Sequence, residues 1–211
     1  MSARLLDGRA LAARLLAEAR KTSSAARRAL GRSPRLAVVA AAGADAESYL
    51  KAKRRACAAA GVELLVHRLS PGPRAKTLGL LAELAGDGSV DAVMVETPLP
   101  RGLSAADVAA VLPEAKDAEG VTPARYGRLF LAKSWAEAEG LVAPCTASAL
   151  ARLARAAGTL AGKRAVVVGR SATVGRPAWR LLSTLDLTVT LAHSRTNGLA
   201  QAEAARRAGA H

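Results

Sequence analysis

A tyrosine and a lysine four residues apart form the first pair in the chain whose types and spacing could do chemistry. Tyr49 and Lys53 lie in the segment ESYLKAKRRACAAAG, which has the composition of a helix, and residues at i and i+4 share one helix face. An aromatic ring beside an ammonium group offers a planar ligand a stacking surface next to a proton carrier. The same spacing also occurs where a tyrosine packs on a lysine stem without any catalytic role. Spacing alone does not separate these two interpretations.

A glutamate stands where a predicted buried strand opens into a loop. The segment VDAVMVETPLPRG runs from Val90 to Gly102, and its apolar residues stop at Val95. Glu96 and Thr97 follow, and then a Pro-Leu-Pro sequence that cannot continue a β-ladder, because proline has no N–H to donate. The role of Glu96 therefore depends on what its carboxylate contacts at this strand end.

Two glycine turns follow a later apolar strand. In AVVVGRSATVGRPAW, Gly169, Arg170 and Ser171 come directly after the strand, and Gly175 follows four residues later. The spacing is not the G-x-G-x-x-G of the standard dinucleotide fingerprint. Gly169 nevertheless permits a tight turn, Gly175 permits close backbone packing, and the next helix N-terminus offers free N–H groups to an anion. The pattern predicts a nucleotide-binding turn.

The next predicted strand ends in cationic and hydroxyl groups. The segment TVTLAHSRT closes about twenty residues after the glycine turn, with His193, Ser194 and Arg195. A site for NAD usually places Asp or Glu there to bind the ribose 2′-hydroxyl. This strand end has no carboxylate and Arg170 lies on the neighbouring turn, so the pattern favours a 2′-phosphate and hence NADP. The alternative is an ordinary polar strand end, and His193 alone is more typical of a structural role.

Composition narrows the class of protein. The 211 residues are 51% apolar, which is typical of a folded chain with a sizeable core. No apolar run approaches the ~20 residues of a membrane span, and the N-terminal MSARLLDGRA carries charges where a signal peptide has an apolar core. Cys57 and Cys145 stand far apart and the three histidines form no H-x-x-H pair. We therefore expect a cytoplasmic protein with no disulfide framework and no metal site.

The net charge of +14 indicates anionic partners or a solvated surface. The five aromatic residues are too scattered along the chain to form a base-stacking platform. Much of the charge is arginine on Ala-rich predicted helices, which favours solvated helix faces over a nucleic-acid surface. We expect neither a nucleic-acid nor a membrane partner.

Helices and strands alternate along the chain and must position these residues. Apolar runs predict strands at 35–41, 62–69, 90–96, 163–169 and 186–193, and helical spacing predicts helices at 8–30, 45–60, 73–86 and 126–131, behind Pro144, from about 174 and from about 199. Short apolar strands between helices are typical of an α/β fold with parallel sheets. We predict two α/β units, residues 1–140 and 141–211, with the boundary near 136–143.

Segments in this order and spacing resemble the bifunctional methylenetetrahydrofolate dehydrogenase/methenyltetrahydrofolate cyclohydrolase family, FolD. The resemblance spans nearly the whole chain and rests on ESYLKAKRRACAAAGVE, VDAVMVETPLP, PEAKDAEGVTPARYGRL, APCTASALARLARAAG, GKRAVVVGRSATVGRPAWRLL and VTLAHSRT. The G-R-S-x-x-V-G-x-P and H-S-R-T segments are specific to that family.

The resemblance implies an N-terminal α/β folate-binding domain and a C-terminal Rossmann-like NADP-binding domain, with the site in the cleft between them. It implies NADP-dependent oxidation of 5,10-methylenetetrahydrofolate to the methenyl form, followed by hydrolysis to 10-formyltetrahydrofolate. Tyr49 matches the residue that flanks the pterin, and Lys53 matches the residue that handles protons in hydrolysis. The family is usually homodimeric, so a homodimer is expected.

The resemblance also assigns the remaining site residues. With the two residues that the turn pattern adds, Gly175 and Arg195, the predicted cofactor contacts are Gly169, Arg170, Ser171, Gly175, Ser194 and Arg195. The predicted substrate contacts are Tyr49, Pro98, Leu99 and Glu119, and the predicted catalytic residues are Lys53, Tyr49 and Glu96.

Three residues of the folate pocket depart from the family pattern. Glu96 replaces a glutamine that hydrogen-bonds the catalytic lysine, and a carboxylate there favours the ammonium form of Lys53. We hypothesise that Glu96 weakens or removes hydrolysis; the alternative is that Glu96 is neutral or turned outward. Glu119 replaces an aspartate that accepts hydrogen bonds from the pterin's amino-pyrimidine edge and adds a methylene, and Ala46 stands where the family often has serine.

The resemblance leaves competing functions open. Family members continue for several dozen residues beyond H-S-R-T, and relative to them this chain lacks the C-terminal portion, so an uncovered apolar edge is expected on the nucleotide sheet. The first hypothesis is an NADP-dependent folate oxidoreductase. The second is a catalytically impaired relative that binds nucleotide or folate, or acts as an oligomeric scaffold. The third, a basic nucleic-acid-binding protein, rests on charge alone.

Overall fold

The computed structural model describes residues 5–42, 44–70, 72–100 and 102–198. In chain order the elements are α1 (Gly8–Leu30), β1 (Arg35–Ala41), α2 (Ala44–Ala60), β2 (Glu63–Leu69), α3 (Arg74–Gly86), β3 (Ala92–Val95), α4 (Ala105–Val111), a 3₁₀ turn (Glu114–Lys116), α5 (Pro123–Leu131), α6 (Trp135–Ala138), α7 (Cys145–Ala156), β4 (Arg164–Val168), α8 (Gly175–Ser183) and β5 (Thr188–Ala192). This is the predicted α/β alternation, and the helix expected from about residue 199 lies outside the described residues.

The chain divides into two compact units after Ala118. The first unit comprises residues 7–118, and the described part of the second runs from Glu119 to residue 198. Helices α5 and α6 pack in one core with α7 and α8, so they belong to the second unit. The functional boundary that the sequence places near 136–143 stays a prediction.

The first unit is built on a parallel three-stranded sheet in the order β2-β1-β3. The central strand β1 is an uninterrupted apolar run, and its residues 37–40 are 0% exposed, as expected for a strand covered on both faces. One face packs under α3 and α4, with Leu81 and Val93 in its core. The other face packs under α2 through Leu50, against Val38 and Met94. The carboxyl ends of all three strands therefore meet at one edge of the sheet.

Helix α1 lies along α2 with clear start and stop signals. Asp7 caps it by accepting a hydrogen bond from the Arg9 N–H at 2.9 Å, and Gly31, at φ +68°, ends it in the left-handed conformation. Ser23, the buried side chain on this helix, donates to the carbonyl of Ala60 at the end of α2. None of the helices within the described ranges combines the length and apolar character that crossing a bilayer takes.

The second unit contains a β4-α8-β5 crossover with the two strands parallel. Its core lies on the side of α5 to α8, where Leu129, Trp135, Ala147 and Leu181 are buried. On β4 the burial alternates, so Val166 is 51% exposed and Val168 is 58% exposed. The crossover agrees with the predicted Rossmann-like unit, and Val166 and Val168 lie on the same exposed face of β4.

Candidate functional site

Lys53 reaches from α2 to the carboxyl end of β3. Its Nζ donates a hydrogen bond to Oε2 of Glu96, with which it forms an ion pair, and it lies 3.1 Å from Sδ of Met94. The Lys53 side chain is 20% exposed and that of Glu96 is 12% exposed. Glu96 therefore faces Lys53 and is not turned outward.

The position of Glu96 follows from how β3 ends. The Glu96 N–H donates to the Val39 carbonyl at 2.8 Å, which extends the sheet by one bond beyond Val95. The Thr97–Pro98 peptide bond is cis and the chain then leaves the sheet. At the far end of the loop, Ser104 and Asp107 form a reciprocal capping box at the start of α4.

The loop is also tied to α3. Asp107 accepts a hydrogen bond from the guanidinium of Arg74 in addition to those from Ser104. Arg74 and the Ser104 N–H and hydroxyl hold the pKa of the Asp107 carboxyl well below its usual range. Both ends of the segment that carries Glu96 are therefore fixed.

The other predicted substrate residues of the first unit differ in exposure. Tyr49, one turn before Lys53 on α2, is 66% exposed, so its ring is accessible to a planar ligand. Pro98 is exposed, whereas Leu99 is half-buried and packs against the core under α3 and α4. The side chain of Ala46 lies outside the described part of the chain.

Cys57 lies one turn beyond Lys53 on the same helix. Burial raises the pKa of the Cys57 thiol, and the positive charge of Lys53 opposes that shift. Cys145, at the start of α7, is exposed. Neither residue is in a disulfide.

Glu119 is half-buried and opens the second unit. The next residue, Gly120, has φ +69°, and a Cβ there would lie 2.5 Å from the Val142 carbonyl oxygen and 2.8 Å from Cα of Ala143. Only glycine allows the two backbones to approach this closely. The segment that carries Glu119 is therefore pressed against residues 142–143 and fixed in place.

The glycine turn after β4 has the close packing that its sequence predicts. Gly169 has φ +119°, and its N–H donates to the Ala192 carbonyl at the end of β5, at 2.7 Å. A Cβ on Gly175 would collide with the Gly169 carbonyl group and would lie 2.9 Å from the Arg170 nitrogen. Both glycines are therefore required by the backbone path itself.

The helix N-terminus at this turn differs from the prediction of free N–H groups. The hydroxyl of Ser171 accepts from the N–H groups of Val174 and Gly175, at 3.2 and 3.1 Å, and the Ser171 carbonyl accepts from the Arg176 N–H. Ser171 thus acts as the cap of α8, so these three amides are already used within the protein. The prediction that this helix N-terminus offers free N–H groups to an anion is therefore not met by these three amides, because a serine four residues before the helix start satisfies them.

The loop after β5 is a compact turn. The His193 N–H donates to the Thr196 hydroxyl at 2.9 Å, and Nδ1 of His193 accepts from the Arg195 N–H at 3.2 Å. Both contacts of His193 are thus made within this turn. Ser194 and Arg195 are exposed at the strand end next to Gly169, and within residues 119–198 neither Arg170 nor Arg195 is in an ion pair with a carboxylate.

Sequence reasoning missed contacts made by residues distant along the chain. In the sequence, Met94 is an ordinary strand residue, and nothing local indicates its contact with Lys53. Arg74 lies 33 residues from its partner Asp107. The two strand-end regions carry complementary chemistry. The first offers an amine, a carboxylate and an exposed aromatic ring; the second offers a glycine turn, exposed arginines and no acidic residue at the end of β5.

Two family models match the chain. The model for the tetrahydrofolate dehydrogenase/cyclohydrolase catalytic domain matches residues 6–119, and the model for the NAD(P)-binding domain of the same enzymes matches residues 144–208. The first model alone covers more than half of the chain, and the second matches the part of the second unit that contains the β4-α8-β5 crossover.

Relatives and solved structures agree with these matches. The bifunctional protein FolD of Parafrankia sp. is 44% identical over 203 residues, which are 93% of this chain and 70% of the relative. FolD of Treponema pallidum is 42% identical and is covered to 63%. The crystal structure of Trypanosoma brucei FolD, complexed with NADP cofactor and inhibitor, superposes with a TM-score of 0.84 at 29% identity, over 98% of this chain and 70% of that protein. The chain thus spans about two thirds of the length of these proteins.

Proposed function

The chain belongs to the tetrahydrofolate dehydrogenase/cyclohydrolase family, and we propose that it oxidises 5,10-methylenetetrahydrofolate with NADP and hydrolyses the methenyl product to 10-formyltetrahydrofolate. The observation that supports this best is the Lys53 amine, held by Glu96 at a strand end one helical turn from an exposed tyrosine ring. Both steps need a bound pterin, and hydrolysis also needs a proton carrier beside it; the exposed Tyr49 ring and the Lys53 amine fit these two requirements.

The second unit fits a dinucleotide. The packed turn at Gly169 and Gly175 lets a diphosphate approach the backbone closely, and the exposed Arg170 and Arg195 with Ser194 suit a 2′-phosphate. NADP bound there would accept the hydride from the folate. Because Ser171 caps α8, its contribution to the cofactor is to hold the turn in shape, and the arginines supply the charge that favours NADP over NAD.

The residues of the first unit have separable tasks. The Tyr49 ring would stack on the pterin, while Pro98 and Leu99 line its apolar edge. Lys53 would move the proton in the hydrolytic step. Glu119, in the second unit, would accept hydrogen bonds from the amino-pyrimidine edge, and its extra methylene changes the reach of that contact by about a bond length.

Glu96 biases the enzyme toward oxidation. The Lys53 amine is engaged by the Glu96 carboxylate in an ion pair, and an engaged amine is less available to the substrate than one that faces a neutral amide. Oxidation requires positioning of the folate but no proton abstraction by Lys53. We therefore propose that the dehydrogenase step proceeds normally and that the cyclohydrolase step is weakened.

The proposal is tested by adding methylenetetrahydrofolate and NADP to the purified chain and following the absorbance of NADPH and of the methenyl product. Turnover supports the enzyme. Thermal stabilisation by NADP or folate without turnover would replace it with the catalytically impaired relative, the second candidate. Retention on DNA that is lost at high salt and is insensitive to NADP would favour a nucleic-acid-binding protein.

Assembly and compartment complete the proposal. We propose a homodimer, as is usual in the family, and a cytoplasmic location consistent with two cysteines that are not in a disulfide. Light scattering of the purified chain gives its mass in solution, and a mass of one chain across the working concentration range would overturn the dimer.

A further inference from the structure

Arg180 connects the helix of the cofactor turn to the helix that follows Glu119. It lies on α8, and its Nε donates to the Phe130 carbonyl at 3.2 Å while its Nη2 donates to the Ala132 carbonyl. These carbonyls end α5, where a helix has acceptors with no partner inside the helix and a negative dipole end. A guanidinium with two parallel donors is well suited to hold both.

Helix α5 is thereby fixed at both ends within the second unit. Three residues lie between Glu119 and the first residue of α5. One of them, Gly120, packs against residues 142–143 and so fixes the segment that leads into the helix. Its C-terminus is held on α8 by Arg180. Helix α8 is in turn fixed on β5, since Nε1 of Trp179 donates to the Val189 carbonyl at 3.0 Å.

The same helix α8 begins at the cofactor turn. Gly175, its first residue, packs so closely against the Gly169 backbone that no side chain fits between them. A chain of close contacts therefore runs from Glu119 through α5 and Arg180 to Gly175, all inside one compact unit.

We infer that Arg180 is a positioning residue that fixes the folate-accepting Glu119 relative to the cofactor turn. The inference rests on the proposed function. Hydride transfer is sensitive to the relative placement of donor and acceptor, and a displacement of about 1 Å can cost up to about a hundredfold in rate. Arg180 acts on backbone carbonyls at the end of α5, so its loss should affect the rate of the assembled complex more than the affinity for NADP.

The variants are Arg180→Met, which keeps the stem and removes all donors, and Arg180→Lys, which restores one donor. The matched control is Arg152→Met, since Arg152 also donates to a backbone carbonyl in this unit, that of Glu139 at 2.9 Å, but does not contact α5 or α8 through that bond. The first measurement is amide hydrogen exchange without any ligand. We expect faster exchange over residues 119–132 in Arg180→Met, a smaller increase in Arg180→Lys and none in Arg152→Met.

The second measurement is the kinetics of the dehydrogenase reaction. For Arg180→Met we expect kcat to fall at least about fivefold with KM for NADP within about twofold of the unchanged chain, and Arg180→Lys to recover part of kcat. Unchanged exchange over 119–132, or equal kcat in an active chain, would overturn the inference. If the unsubstituted chain shows no turnover, the proposed function fails, and the exchange measurement alone decides the positioning role.

Discussion

The sheets of the two units place similar apolar strands in different surroundings. In the first unit β1 is paired on both sides, and residues 37–40 are 0% exposed. In the second unit β4 pairs with β5 alone among residues 119–198, and Val166 and Val168 are about half exposed. The first sheet presents Glu96 from the end of β3, beside the buried central strand β1. The second depends on glycine contacts, Ser171 and Arg180 to hold its turn.

An apolar strand sequence therefore specifies a strand but not the elements that pack beside it. RLAVVAA and RAVVV look alike, yet the area each buries depends on what packs beside it. Stability should therefore be concentrated in the first unit, whereas the second should respond most to changes at its turn.

We expect the largest effect at a core residue of the first unit, compared with an exposed residue of the second. Leu81→Ala removes a side chain that is 0% exposed in the core of the first unit, and we expect a loss of about 3 kcal/mol in the free energy of unfolding. The matched change Leu150→Ala, at a site that is 40% exposed on α7, should cost less than about 1 kcal/mol. Urea unfolding followed by circular dichroism measures both. Equal losses would break the comparison.

The next effect belongs to the cofactor turn. Gly175→Ala places a Cβ against the Gly169 backbone, so the turn must open, and we expect NADP to bind at least about tenfold more weakly. Calorimetric titration with NADP measures this. Gly127→Ala is the control, because a Cβ there meets nothing within 4 Å on α5, and its affinity for NADP should be unchanged. Full NADP affinity in Gly175→Ala would mean that the cofactor does not use this turn.

A third change tests the chemistry of the first unit. Glu96→Gln removes the carboxylate that forms an ion pair with Lys53 and so frees the amine for the substrate, and we expect hydrolysis of methenyltetrahydrofolate to rise about tenfold. The decay of methenyl absorbance gives the rate. Glu63→Gln, which removes a carboxylate paired with Arg35 at the surface, should leave it unchanged. No gain with folate binding intact would exclude the role proposed for Glu96.

The smallest effect concerns a pH-dependent contact of the first sheet. Arg32 donates to Asp91 at 2.7 and 3.0 Å and holds the pKa of the Asp91 carboxyl below its usual range. A carboxyl whose pKa is lower in the folded chain stabilises the fold at pH values above the pKa of the unfolded chain, about 3.9. This stabilisation is lost as the pH falls through the pKa of the folded chain. Asp91→Asn should therefore cost at most about 1 kcal/mol at pH 7. Melting temperatures measured from pH 7 down to pH 3 should converge for the two chains, and a constant difference would contradict this assignment.

Much of the fold can be predicted from local patterns. The start and end of α1 follow from Asp7 and Gly31, and the strands follow from short apolar runs. Helices α4 and α6 were not predicted, because they are too short to show helical periodicity. Their starts nevertheless have the spacing of a capping box, with Ser104 and Asp107 in α4 and Ser134 and Glu137 in α6.

The candidate site could be predicted only in part. The i and i+4 relation of Tyr49 and Lys53 is local, and the match to the family model supplies the rest of their interpretation. The contact of Lys53 with Glu96 spans 43 residues and that of Arg180 with Ala132 spans 48, and no sequence periodicity reports such pairs. Ser171 could have been identified as a cap by its distance from the helix start, but the glycine pattern drew attention to anion binding instead.

The two thiols have a practical consequence for following this molecule in solution. Cys57 in the first unit is half-buried with a raised pKa, whereas Cys145 in the second is exposed. A maleimide dye at neutral pH should thus modify Cys145 first, and a second dye could then be attached to Cys57 under mildly denaturing conditions. Each unit would then carry its own fluorophore, and energy transfer between the two dyes would show, without any engineered residue, whether ligands change their separation.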